Sequence, residues 1–151
     1  MTTAPLRYVV LHHEGIADPH YDFMYELGPE QPLRTLRIAE WPLAGNAAPF
    51  SAVEIAHHRR EYLEYEGPVR GDRGTVRRVS QGRLLAHPLN SGITRLEFLD
   101  PASQVSAVWW LYGNASGECR IELRGTPAAS VHAAELAACR ANLNSQPAHQ
   151  R

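Results

Sequence analysis

The chain has 151 residues and a formal net charge of −1, with 44% hydrophobic and 21% charged residues. That profile suits one globular domain with a real core; it excludes a disordered chain and a protein held to a polyanion by bulk charge alone. Two cysteines, Cys119 and Cys139, are too few for a disulfide framework and form no CxxC pair.

In chain order, residues 6–12 (LRYVVLH) read as a buried strand, 14–19 (EGIADP) as a loop and 20–27 (HYDFMYEL) as a second strand. A turn at 28–32 makes these neighbours part of a hairpin pattern, and 33–39 alternates as a third strand. WPLAGNAAP, 41–49, is a loop. FSAVEIA, 50–56, fits a strand, although Ser51 and Glu54 also have capping-box spacing; the strand is preferred, with a helical turn after it. A Gly-rich turn segment, GPVRGDRG, precedes a strand at TVRRVS, and two further short strands are expected at 82–89 and 93–99. SAVWWLYG and ECRIELRG form a hairpin around Asn114–Gly117, and from Ala128 to Leu143 the Ala-rich spacing predicts a terminal helix capped by Ser130. Many short strands with frequent turns indicate a mainly β chain, an antiparallel barrel or sandwich over residues 1–127, with a short C-terminal helix and tail over 128–151.

No apolar run approaches the roughly 20 residues of a membrane helix. MTTAPLRYVV lacks the basic-then-apolar order of a signal peptide. The expectation is a cytoplasmic monomer with reduced thiols and no membrane partner. All fifteen basic residues are Arg, and seven of them crowd the stretch from Arg59 to Arg83. A genome that prefers Arg codons accounts for the absence of Lys but not for the clustering, and a guanidinium fork suits phosphate.

The chemistry centres on His20-Tyr21-Asp22-Phe23. On a strand, His20 and Asp22 point one way and the two aromatics the other, into the core. An imidazole and a carboxylate at that spacing can share a metal ion, and nitrogen with oxygen suits Mn, Zn, Fe or Co better than Mg or Ca. A third ligand is expected from the end of the preceding strand, His13, with His12 as the alternative. Taken alone, a His-x-Asp pattern is short enough to occur by chance. A second group, AHHRREYLEYEG, places His58 and Tyr62 four apart beside Arg59 and Arg60; such a group can donate to a phosphate, but alone it also reads as an exposed charged turn.

Together these segments resemble the 3′-phosphoesterase domain of bacterial DNA ligase D and its small stand-alone relatives. That family has a strand ending in His, a short loop and His-Tyr-Asp-Phe, as in YVVLHH, EGIADP and HYDF here. It then has His, three residues, Tyr and an aromatic-Glu-Gly, matched by His58, Tyr62 and Tyr65-Glu66-Gly67. A Gly-Thr-Val strand follows, as at Gly74-Thr75-Val76. The resemblance spans residues 7–125. It implies a β-barrel-like, Mn-dependent enzyme of DNA repair that removes a terminal phosphate or ribonucleotide from nucleic-acid 3′ ends, with DNA-repair proteins as possible partners. It implies His13, His20 and Asp22 as metal ligands, His58 as the phosphate contact, Tyr62 as its helper and Glu66 as an orienting group. Zn and Co are the alternative metals, and another phosphate ester is the alternative substrate.

The chain also departs from the family. The loop between His13 and His20 is one residue longer. The family Arg two residues after the motif Asp is Met24 here, expected to face the same side as His20 and Asp22. The Arg eight residues before the site His is Phe50. Arg59, Arg60 and Arg73 are the candidate replacements for these phosphate clamps. Met24 and the Arg73-Gly74 pair resemble the stand-alone branch, which suggests an altered substrate. Two other classes stay open: a metal-holding module that recognises a nucleic-acid end or nucleotide without cleaving it, and a structural protein with a vestigial site. Elsewhere, at least one of Trp109 and Trp110 is expected in the core, Trp41 at the core or rim with base stacking as its functional alternative, and Cys119 as a packed thiol. His87, His132 and His149 read as ordinary surface residues.

Overall fold

Alternating apolar residues pair into nine strands in a computed structural model that describes residues 4–39 and 50–124. They are β1 (Leu6–Glu14), β2 (His20–Glu26), β3 (Leu33–Ile38), β4 (Phe50–His58), β5 (Gly67–Pro68), β6 (Thr75–Pro88), β7 (Ile93–Leu99), β8 (Val105–Gly113) and β9 (Glu118–Arg124). Their order is β1-β2-β3-β4-β9-β8-β7-β6-β5, and β6 also pairs with β1. That last pairing joins eight strands into a closed antiparallel barrel and decides between the barrel and the sandwich. β5 extends the sheet beside β6. The expected C-terminal helix and Trp41 lie outside the described residues.

The strand at 50–56 forms, and the capping box of Ser51 and Glu54 does not, because β4 pairs with both β3 and β9. The expected helical turn follows as a 3-10 turn, Arg60–Leu63. One expectation is corrected. Residues 75–80 and 82–89 are one continuous strand, β6, and not two. Gly82 lies within it opposite Tyr8, and a Cβ there would meet the Tyr8 ring at 2.9 Å. The β1–β6 register shifts between Val10 and Leu11, an irregularity of the kind that increases twist and helps a sheet close.

Two apolar clusters divide along the strand pleat. The larger takes residues from every strand of the ring, including Val10, Phe23, Leu36, Ala52, Leu84, Leu96, Trp109 and Ile121, so it is the barrel interior. Trp109 is the core tryptophan of its pair, and Cys119 is a buried free thiol whose pKa is pushed up by burial. The smaller cluster, Val9, Leu11, Met24, Leu33, Leu63 and Val76, draws on one wall only and faces outward. Residues 59–74 cross this wall as a strap. Leu63 seats in the apolar patch, and Arg60–Glu26, Arg7–Glu64 and Arg78–Glu66 pairs tie the strap to the strands.

Arg34 is the main charge among the inward-facing residues. Its guanidinium takes both Glu54 oxygens at 3.0 Å and donates to the Tyr25 hydroxyl at 2.8 Å. The Arg34 hydrogen bonds hold the Glu54 carboxyl below its ordinary pKa, against the opposing effect of burial. A carboxyl depressed on folding adds stability above its unfolded pKa, and that increment disappears as pH falls through the folded value. Glu54→Gln is therefore expected to be less stable than wild type at neutral pH. The gap should close below about pH 4, as read by urea titrations at stepped pH.

Candidate metal centre

β1 and β2 pair with His13 directly opposite His20. Alternation puts His13 on the outward face with Val9 and Leu11, and puts His20 and Asp22 on the same face with Met24, which is buried in the outer cluster as expected for its side. Tyr21 and Phe23 turn inward. One ligand atom from each of His13, His20 and Asp22 falls within 4.8 Å of the others. His20 and Asp22 are nearly inaccessible to solvent, at 7% and 4% exposure.

Hydrogen bonds fix the tautomers. His20 Nδ1 donates to the Asp18 carbonyl at 2.8 Å. A carbonyl can only accept, so the neutral ring keeps its lone pair on Nε2. That Nε2 is buried, has no hydrogen-bond partner, and faces Asp22 Oδ2 at 3.5 Å. His58 repeats the arrangement: Nδ1 donates to the Ala56 carbonyl at 3.0 Å, and Nε2 lies 4.0 Å from the same Asp22 oxygen. In His13 it is Nε2 that donates, to the Arg73 carbonyl, which leaves Nδ1 with the lone pair. Lone pairs of imidazole and carboxylate facing each other in a buried place repel unless a proton or a metal cation lies between them. Backbone carbonyls behind the imidazoles are the usual support of metal-ligating histidines. The donor set fits a divalent transition-metal ion.

The strap brings further groups. Tyr62 packs beside His58 with ring centroids 5.6 Å apart. Glu66 accepts from the Arg78 backbone N–H at 2.8 Å. Arg73 contributes through its carbonyl to His13, while its side-chain Nε donates to the Arg70 carbonyl. The other two clamp candidates are engaged elsewhere. Arg60 binds Glu26 and the carbonyls of Gly28 and Gln31; Glu26 lies four residues along β2 from Asp22, about 13 Å. Arg59 is well exposed and pairs with Glu61. Phe50 packs edge-on against Trp109 in the barrel, so its position does not line the cluster.

His12, the alternative to His13, faces the other side of β1, stacked on Tyr21 at 4.3 Å and 3.3 Å from Glu14. Burial lowers its pKa despite Glu14. His87 is corrected: it is half-buried and bonds Glu97 at 2.8 Å. His132 and His149 lie outside the described residues. The residue missed by sequence reading is Arg37 on β3. Its register partner is Asp22, and its Nε donates to Asp22 Oδ1 at 3.3 Å. Strand pairing alone could have found it, since two residues directly opposite in an antiparallel pair share a face.

The chain matches no protein-family model, and no curated protein matches it.

Gly74 makes the His13 support possible. Its φ is +78°, and a Cβ there would overlap the Glu14 carbonyl oxygen and crowd Ile16. Only glycine lets the strap approach the β1–β2 loop this closely. Gly74→Ala is expected to displace the Arg73 carbonyl and weaken divalent-metal affinity by roughly 10- to 100-fold, the range for lost outer-shell support. Titration calorimetry with Mn checks this, with circular dichroism to show that the barrel persists.

Proposed function

We propose that this chain is a metal-dependent phosphoesterase acting on nucleic-acid 3′ ends, removing a terminal phosphate or ribonucleotide, with Mn as its metal. The observation that carries the proposal is the buried, partnerless Nε2 of His20 turned on Asp22 Oδ2, with His13 completing the cluster. The resemblance to the ligase D phosphoesterase domains supplies the reaction class, and it rests on motifs alone.

In this reading His13, His20 and Asp22 hold the ion. A bound Mn supplies charge neutralisation at the phosphate and activation of a water. His58 contacts the scissile phosphate and balances charge that develops there. Tyr62 restricts the His58 ring and helps to hold the phosphate. Glu66 keeps the strap in register on β6. Hydrolysis adds water across the P–O bond, and the leaving oxygen takes the proton.

A second reading is favoured by Met24 and Phe50, both in apolar packing where the family has phosphate-binding Arg. In that reading the site binds an end without cleaving it.

The deciding assay uses Mn and an end-labelled primer-template carrying a 3′-phosphate or a single 3′-ribonucleotide. Wild type is expected to release the terminal group, Asp22→Ala and His20→Ala to be inactive, and His58→Ala to lose about 10²- to 10³-fold in rate. Undiminished activity in Asp22→Ala rules the site out. Tight end binding without turnover under Mn, Zn or Co establishes the binding module instead.

A further inference from the structure

The centre lacks both family clamps; of the replacements expected from sequence, Arg59 and Arg60 pair elsewhere, and the Nε of Arg73 is spent on the Arg70 carbonyl. The remaining guanidiniums on these strands are also engaged: Arg34 with Glu54 inside the barrel, Arg77 with Glu14, and Arg78 with Glu66. Among the described residues, Arg37 is the arginine with an ion pair to a cluster ligand. We infer that Arg37 forms the anion subsite of this centre, holding a phosphoryl oxyanion beside the His13–His20–Asp22 cluster. This rests on the functional reading above and names a residue for it.

Three observations carry the inference. First, Arg37 is placed by register and not by a flexible loop: it lies opposite Asp22 on β3 and opposite Val53 on β4, so paired strands fix its backbone on both sides. Second, it meets Asp22 through Nε, on the side of the fork nearest its stem, and on Oδ1, the oxygen turned away from His20 and His58. Third, its side chain is 41% exposed while that of Asp22 is 5% exposed, so the guanidinium runs from the buried ligand out to solvent. A planar fork held on one edge presents its other edge in a defined direction, which is the geometry that recognises phosphate oxygens. Arg37 thereby acts from the neighbouring strand in place of an arginine at Met24, whose side chain fills the apolar patch under the strap.

The test is binding, not turnover. Mn-saturated protein is titrated with inorganic phosphate by calorimetry, for wild type, Arg37→Gln and Arg37→Lys, after metal affinity has been measured for each. Arg37→Gln is expected to weaken phosphate binding by about tenfold or more at saturating Mn, the loss typical of a charge-assisted hydrogen bond. Arg37→Lys, which keeps charge but not the fork, should fall between the two. Arg37→Lys also serves if Arg37→Gln fails to fold. Phosphate affinity unchanged within about twofold in the tested variant, or no phosphate binding by Mn-loaded wild type, overturns the inference. Arg37-dependent phosphate binding in a protein that cleaves no 3′ end would leave this subsite intact and sink the enzymatic reading alone.

Discussion

Everything at the candidate centre depends on how the two oxygens of Asp22 are divided. Oδ1 faces the Arg37 guanidinium, and Oδ2 faces the lone-pair nitrogens of His20 and His58. A carboxylate this deeply buried needs compensating charge. Arg37 supplies part of it from one side. The other side collects acceptors only, which is an arrangement suited to a cation. The barrel is what makes this division possible, because antiparallel register sets His13 against His20 and Asp22 against Arg37. A slip of one residue in β2 would send Asp22 into the apolar interior and Phe23 onto the outer wall.

The strap at 59–74 couples the same site to stability. It carries Tyr62 to His58 and the Arg73 carbonyl to His13, and it is held by Leu63 in an apolar patch and by three ion pairs. Partly exposed ion pairs contribute little each, so the seating of Leu63 matters more; burying one leucine is worth about 2 kcal/mol. A loss of that seating would loosen two supports of the centre while leaving the barrel interior untouched. Site order and strap docking are therefore one property.

Much of this was legible in sequence. Period-two alternation in HYDF gave both the inward aromatics and the outward His20–Asp22 pair, and the hairpin expectation chose His13 over His12 because the end of one strand adjoins the start of the next. The continuity of β6 was not legible, since what keeps Gly82 in the strand is the Tyr8 ring lying over it from β1. Arg37 was not visible because its role depends on a cross-strand partner fifteen residues away. Arg59 and Arg60 drew attention through clustering, yet charge density in a segment does not reveal which side chains are already paired. The meaning of Met24 depended on a second cluster on the outside of the barrel, which arises only once the strap is folded across the wall.

The most direct measurement is the absorbance of the Co(II)-substituted protein in the visible d–d region, with His20→Ala as comparison. The structure predicts saturable binding of one ion per chain at the His13–His20–Asp22 cluster, with a spectrum showing nitrogen and oxygen ligation, lost in His20→Ala while the fold persists. A folded wild-type protein that binds no Co, Mn or Zn, or binds it equally in His20→Ala, would contradict the account.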